Sequence, residues 1–303
     1  MKRTVPSVVF CIIVMCRLLG IVASELTEFG LVLTEAPRCL ATLSREHPDG
    51  WGIAIHKASG PNGVELDSTR SLGDDPWQMH KGIAPAGEDT RFRELAARSR
   101  GHLLVAHIRQ KTVGPTRLEN THPFVNDGWV FAHNGTIQHQ DELRARCSGR
   151  RLREITGDTD SELFFAYVLT RLDENGLVRL ADDGARDLVT KLMSELTAEL
   201  RSLRIGAFNF VLSDGQTTFA HRFGRSLFVL ERGPSDPVRE LRPVDDGASI
   251  MTKWTARRQA VFIASERITD EPWREIDDGT LLRIERTPTP RIIAGDASSR
   301  RVA

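Results

Sequence analysis

Cys16-Arg17-Leu18-Leu19-Gly20-Ile21-Val22-Ala23 is the stretch from which the rest of the chain is read. Its apolar run fits a short buried strand, being too brief for a helix of useful length. A cysteine opening such a strand is by default a small core hydrophobe. The same default covers Cys11, Cys39 and Cys147, which form no CxxC pair and lie at no close spacing from histidine. A disulfide framework or a structural zinc site is therefore not expected.

Upstream of this strand, Lys2 and Arg3 precede an uncharged run from Thr4 to Cys16, as in a signal peptide, and Ala23 and Ser24 are small enough to flank a cleavage site. Arg17 interrupts the run, which leaves it too short for a membrane-spanning helix. The second reading takes residues 1–14 as an upstream extension ahead of a true start at Met15. Composition is compatible with both.

Downstream, Trp51–His56 reads as a second strand after the turn-prone His47-Pro48-Asp49-Gly50, and Leu103–Ile108 as a third. Thr90–Arg100 has helical spacing at Phe92, Leu95 and Ala96. Gly114–Gly128 reads as a loop, and Trp129–Ala132 as a strand running into Asn134-Gly135, a dipeptide typical of tight hairpins. Asp158–Leu172 reads as a helix with Thr159-x-x-Glu162 as a capping box, and Leu188–Leu203 as a second amphipathic helix. Ala207–Leu212 and Thr217–Arg222 flank Asp214-Gly215 as a hairpin; Ser226–Leu230 and Val261–Ala264 follow as strands. No repeat or long linker divides the chain, so one α+β domain over 15–286 is expected, with 287–303 as a flexible tail.

Among the 303 residues, 40% are hydrophobic and 27% charged, the mix of an ordinary globular protein. Lys+Arg and Asp+Glu both number 41, so no basic field points to nucleic acid. No phosphate loop, dinucleotide fingerprint or HExxH is present. His102 and His107 stand at odd spacing on one strand, face opposite sides and cannot chelate together.

Five segments, in order, carry chemistry: Met15–Gly20 (MCRLLG), Asp49–Ala54 (DGWGIA), His107–Gly114 (HIRQKTVG), Glu119–Phe124 (ENTHPF) with Phe131–Gly135 (FAHNG), and Gly157–Glu162 (GDTDSE). Together they resemble the class II glutamine amidotransferases, the N-terminal-nucleophile type, and especially their stand-alone branch. The resemblance covers roughly residues 15 to 270. It implies a four-layer αββα sandwich, two antiparallel sheets between helices, with neither metal nor organic cofactor.

The resemblance also implies roles. Cys16 would be the nucleophile, with its own α-amine as the base, which requires Cys16 to be the first residue of the working chain. An α-amine titrates near pH 8, so it is substantially neutral under physiological conditions and can take the thiol proton. Asn134 and Gly135, otherwise a plain turn, would form the oxyanion hole. Arg109, otherwise a strand-end charge, would grip the substrate α-carboxylate through its planar fork. Asp160, otherwise a helix N-terminal charge, would bind the α-ammonium. His122 would lie near the glutamine pocket without a proton-transfer role; Asp49 and Trp51 would belong to a segment packed near the N-terminal amine, where a structural role suits them at least as well. Gln110 and Val113 stand where the sugar-phosphate and phosphoribosyl branches usually carry an aromatic residue and a histidine, which sets the covering loop apart.

The substrate class expected is glutamine or another γ-glutamyl small molecule, with a separate synthase subunit as a possible ammonia acceptor, no nucleic acid or membrane partner, and a cytoplasmic location. The contrasting reading is an exported binding protein of the same fold, without catalysis, produced by cleavage after Ala23 or Ser24.

Overall fold

Leu19, Ile21 and Ala23 pack into one core, while Leu18 and Val22 pack into another. The period-two alternation of a strand thus buries both faces of the opening segment, which is why its sequence is continuously apolar. The computed structural model describes residues 16–56, 76–111, 114–178, 182–234 and 259–294. The opening segment is β1 (Arg17–Glu28), followed by a π-helical turn at Leu31–Glu35 and a short helix α1 (Leu40–Leu43). Then come β2 (Trp51–His56), β3 (Trp77–Gly82), α2 (Thr90–Arg98), β4 (Arg100–Ile108), β5 (Phe124–Asn126) and β6 (Trp129–Ile137). Helices α3 (Gln140–Ala145), α4 (Gly149–Arg153), α5 (Asp160–Glu174) and α6 (Asp183–Ser202) follow. The last strands are β7 (Gly206–Ser213), β8 (Thr217–His221), β9 (Phe228–Arg232), β10 (Ala260–Ala264), β11 (Arg274–Glu275), β12 (Leu281–Glu285) and β13 (Arg291–Ala294).

The strands form two antiparallel sheets, ordered β11-β9-β10-β1-β4-β2-β3 and β13-β12-β8-β7-β6-β5. Val105, Val130, Ala132, Val211 and Ile263 fill the space between them. Phe29, Phe92 and Leu40 cover the outer face of the first sheet; Phe164, Val168, Leu196 and Leu200 of α5 and α6 cover that of the second. The four layers expected from the resemblance are these. Because β1 is the central strand of its sheet, cleavage after Ala23 or Ser24 would remove Leu18–Val22 and break the pairing with both β4 and β10. That consequence weighs against the exported reading.

Several boundaries differ from expectation for physical reasons. Asn134-Gly135 is not a turn: β6 runs through it, pairing Asn134 with Asn209 and Gly135 with Phe208. The turn is made earlier, at Asp127-Gly128 between β5 and β6, where φ is 49° and 82°. Two successive positive values suit Asp-Gly as well as Asn-Gly. The Gly114–Gly128 loop accordingly contains β5. Arg291–Ala294, within the expected tail, pairs with β12 as an edge strand. Residues 1–15, Thr112, Val113 and the greater part of the Pro234–Gly247 loop lie outside the described residues.

Candidate active site

The capping residue Thr159 starts the site. Its hydroxyl accepts the Glu162 N–H at 3.2 Å and fixes the first turn of α5. Glu162 does not reach back to the cap as in a capping box. Its carboxylate instead accepts the Thr156 and Gly157 N–H groups at 2.8 and 2.7 Å, ordering the loop before the helix. Asp160 is thereby presented toward β6, where one carboxylate oxygen accepts the Ile137 N–H at 2.7 Å.

The ends of β1, β4, β6 and α5 converge on a pocket of about 350 Å³ including its mouth. Cys16, Arg109, His122, Gly135 and Asp160 line it, and Asn134 is the chain neighbour of Gly135. Residues spread over nearly half the chain, from Cys16 to Ser161, are brought to one cavity.

Cys16 lies immediately before β1, its sulfur accepting the Gln110 N–H at 3.2 Å. Burial pushes the thiol pKa up, against the opposing pull of the Gln110 hydrogen bond and the Arg109 guanidinium. An uncharged thiol at neutral pH needs a base to become an effective nucleophile. Arg109 is buried, with guanidinium nitrogens 3.1 Å from the Pro115 carbonyl and 3.5 Å from that of Gly114, an arrangement that fixes the plane of its fork. Gln110, also lining the pocket, has its side-chain oxygen 3.2 Å from His47 Nδ1.

Asn134 points between the sheets and donates an Nδ2 hydrogen to Ser265 Oγ at 3.1 Å, leaving its second amide hydrogen for another acceptor. Ser265 Oγ also accepts the Leu18 N–H at 2.9 Å, tying Asn134 to the strand that follows the cysteine. At Gly135 a Cβ would stand 1.9 Å from the Ala207 carbonyl oxygen and 2.6 Å from His133 Nε2, so only glycine fits.

Two buried histidines, His122 and His133, line the pocket, and a third, His107, packs against His122. His107 and His122 have ring centroids 4.3 Å apart, and His133 follows at 6.5 Å from His122. Desolvation lowers all three pKa values, to about 3 for His107 and well below the ordinary range for His122. His122 therefore enters the pocket as a neutral ring at physiological pH. Among the described residues no three His, Cys, Asp or Glu side chains are grouped to hold a metal ion.

Asp49 and Trp51 make contacts that hold neighbouring segments in place. The Asp49 carboxylate accepts the Lys111 N–H at 2.8 Å, and the Trp51 indole donates to Asp89 at 2.9 Å while packing edge-on against Phe92. Ser265 and His47 had no site signal in the sequence, and Ser161 stands within the GDTDSE segment without an expected role of its own. Ser161 Oγ is 2.8 Å from His133 Nδ1, and Ser265 is 247 residues from its partner Leu18.

Residues 15–299 match the sequence family described as class-II glutamine amidotransferases. The chain belongs to this family. Within it, the chain is similar to YafJ of Escherichia coli strain K12, whose name assigns it to the glutamine amidotransferases, with 28% identity over 88% of this chain and 95% of that one. It is 30% identical to a γ-glutamyl-hercynylcysteine sulfoxide hydrolase of Mycobacterium tuberculosis, over 77% of this amidotransferase-family chain and 86% of the relative. In fold it is similar to a predicted glutamine amidotransferase from Pseudomonas aeruginosa PA01, with TM-score 0.57, 24% identity, and coverage of 92% and 100%. A glutamine phosphoribosylpyrophosphate amidotransferase from B. subtilis gives TM-score 0.53 at 16% identity, over 93% of this chain and 50% of that one. The αββα sandwich is thus of the N-terminal-nucleophile amidotransferase type. No helix among the described residues is long and apolar enough to cross a membrane.

Proposed function

We propose that this protein hydrolyses the γ-amide of glutamine or of another γ-glutamyl amide through a thioester on Cys16, releasing ammonia or an amine. The observation that carries the reading is one pocket lined by a thiol, a guanidinium, a carboxylate and the glycine of an Asn-Gly pair. Arg109 takes the substrate α-carboxylate and Asp160 the α-ammonium, so opposite charges select an amino-acid head group. The Cys16 sulfur attacks the γ-carbonyl carbon as the α-amine of the same residue accepts the thiol proton. The second Asn134 amide hydrogen and the Gly135 N–H stabilise the oxyanion. Collapse of the tetrahedral intermediate breaks the C–N bond, and the proton held by the amine passes to the leaving nitrogen. Water then cleaves the thioester, giving a γ-carboxylate and restoring the thiol.

A free α-amine requires that Cys16 be N-terminal, as follows from initiation at Met15 and removal of that methionine. A cytoplasmic location fits this route. Ammonia would pass to a separate synthase subunit, or an amine would simply be released, as the similarity to the mycobacterial hydrolase suggests. A panel of γ-glutamyl amides separates the two. Glutaminase activity lost in Cys16→Ala with the fold intact supports the reading; turnover retained in Cys16→Ala rejects the nucleophile.

A further inference from the structure

A second and larger cavity, of about 580 Å³ with its mouth, shares no lining residue with the glutamine pocket. It lies on the other side of the same two segments: Glu119, Phe124, Thr156 and Glu162 wall it, whereas Asn120, His122 and Thr159–Ser161 wall the first. Apolar side chains line much of it, including Met79, Val125, Phe165 and Leu169.

The charges facing it are mostly satisfied. Arg151 is taken by Asp127, Glu154 and Asp173. The Glu162 carboxylate is taken by Thr156 and Gly157. Lys81 is different. Its ammonium lies 5.1 Å from the centre of the Phe124 ring, and no hydrogen bond or ion pair engages it among the described residues. Burial lowers its pKa to about 8, against the opposing fields of Glu162 and Glu119. A cation held in a partly apolar cavity without an anionic contact is a position that a ligand carboxylate would complete.

We infer that this cavity binds a small amphipathic carboxylate, its acid group on Lys81 and its apolar body against Met79, Val125, Phe165 and Leu169. The acid group replaces water at the ammonium, and the body covers apolar walls that a charged or compact ligand would leave wet. The exposed Glu119 on the rim disfavours a dianion.

Titration of the full chain with 3-phenylpropanoate, followed by calorimetry and ligand-observed NMR, tests this. Saturable binding is expected, weakened about ten-fold or more in Lys81→Met, which keeps the apolar stem and removes the charge. Binding is expected to be unchanged in Arg109→Ala, whose defect belongs to the glutamine pocket, so the result does not depend on the catalytic reading. In the unmodified protein affinity should fall as pH rises through about 8, where Lys81 loses its proton, a readout independent of whether Lys81→Met folds. No saturable binding below about 10 mM overturns the inference. So does binding that is lost in Arg109→Ala, that ignores both Lys81 and pH, or that prefers 2-phenylethylamine.

Discussion

Asn134 shows what a single residue can and cannot disclose in sequence. Beside Gly135 it has the look of a hairpin, and only its neighbours in the FAHNG segment separate the oxyanion donor proposed above from a turn. In the structure its amide is oriented by Ser265, which pairing of β1 with β10 brings to the Leu18 backbone. Motif order made Cys16, Arg109, Asp160 and His122 legible because each sits in a short contiguous signature. Ser265 was not, because its role arises from long-range strand pairing and local spacing carries no trace of it. Asn134→Ala should lower kcat by about 100- to 1,000-fold, the usual loss for one oxyanion donor, with KM little changed. Steady-state kinetics on a γ-glutamyl amide check this, and a defect confined to KM would give Asn134 a binding role instead.

At the scale of elements, periodicity located eight of the thirteen strands and the three longest helices among the described residues; it passed over β3, β5, β11, β12, β13 and the short helices, and it misplaced one hairpin where two turn signals competed. Both Asp127-Gly128 and Asn134-Gly135 can make a tight hairpin, and the sequence offers no rule for choosing. The choice follows from β7: continuous pairing from Val130–Ser213 to Ile137–Gly206 keeps Asn134-Gly135 extended. The same continuity brings Ile137 to the Asp160 carboxylate, so β6 and the first turn of α5 position the site together. Thr159 caps that turn, and Thr159→Ala should cost about 1 kcal/mol of stability. Because Asp160 is the next residue, a several-fold rise in KM should accompany the loss. Chemical denaturation and KM measured on the same preparation test the linkage; a stability loss with KM unchanged would separate cap from site.

The whole molecule buries several histidines as neutral rings. Desolvation holds His107 at about pKa 3 and His56 and His221 at about 4. Unfolding returns each to an ordinary value near 6.5, so below that pH the unfolded chain binds more protons and stability falls. The contribution is present above about pH 6.5 and is lost progressively toward pH 4, each group adding a slope of up to about 1.4 kcal/mol per pH unit. Thermal unfolding midpoints should therefore drop steeply between pH 6 and 4.5, and a flat profile there would contradict the neutral-histidine assignment. The layered architecture was legible through family resemblance and the burial of β1 through its continuous apolar run, whereas the division of its two faces between separate cores emerged from packing. The catalytic proposal rests on Cys16, the residue immediately before that strand. The decisive measurement pairs N-terminal sequencing and intact mass with turnover of γ-glutamyl amides. Chains beginning at Cys16 should be active, and chains retaining Met15 or the residues before it inactive. Full activity in a chain with residues 1–15 still attached would contradict the account.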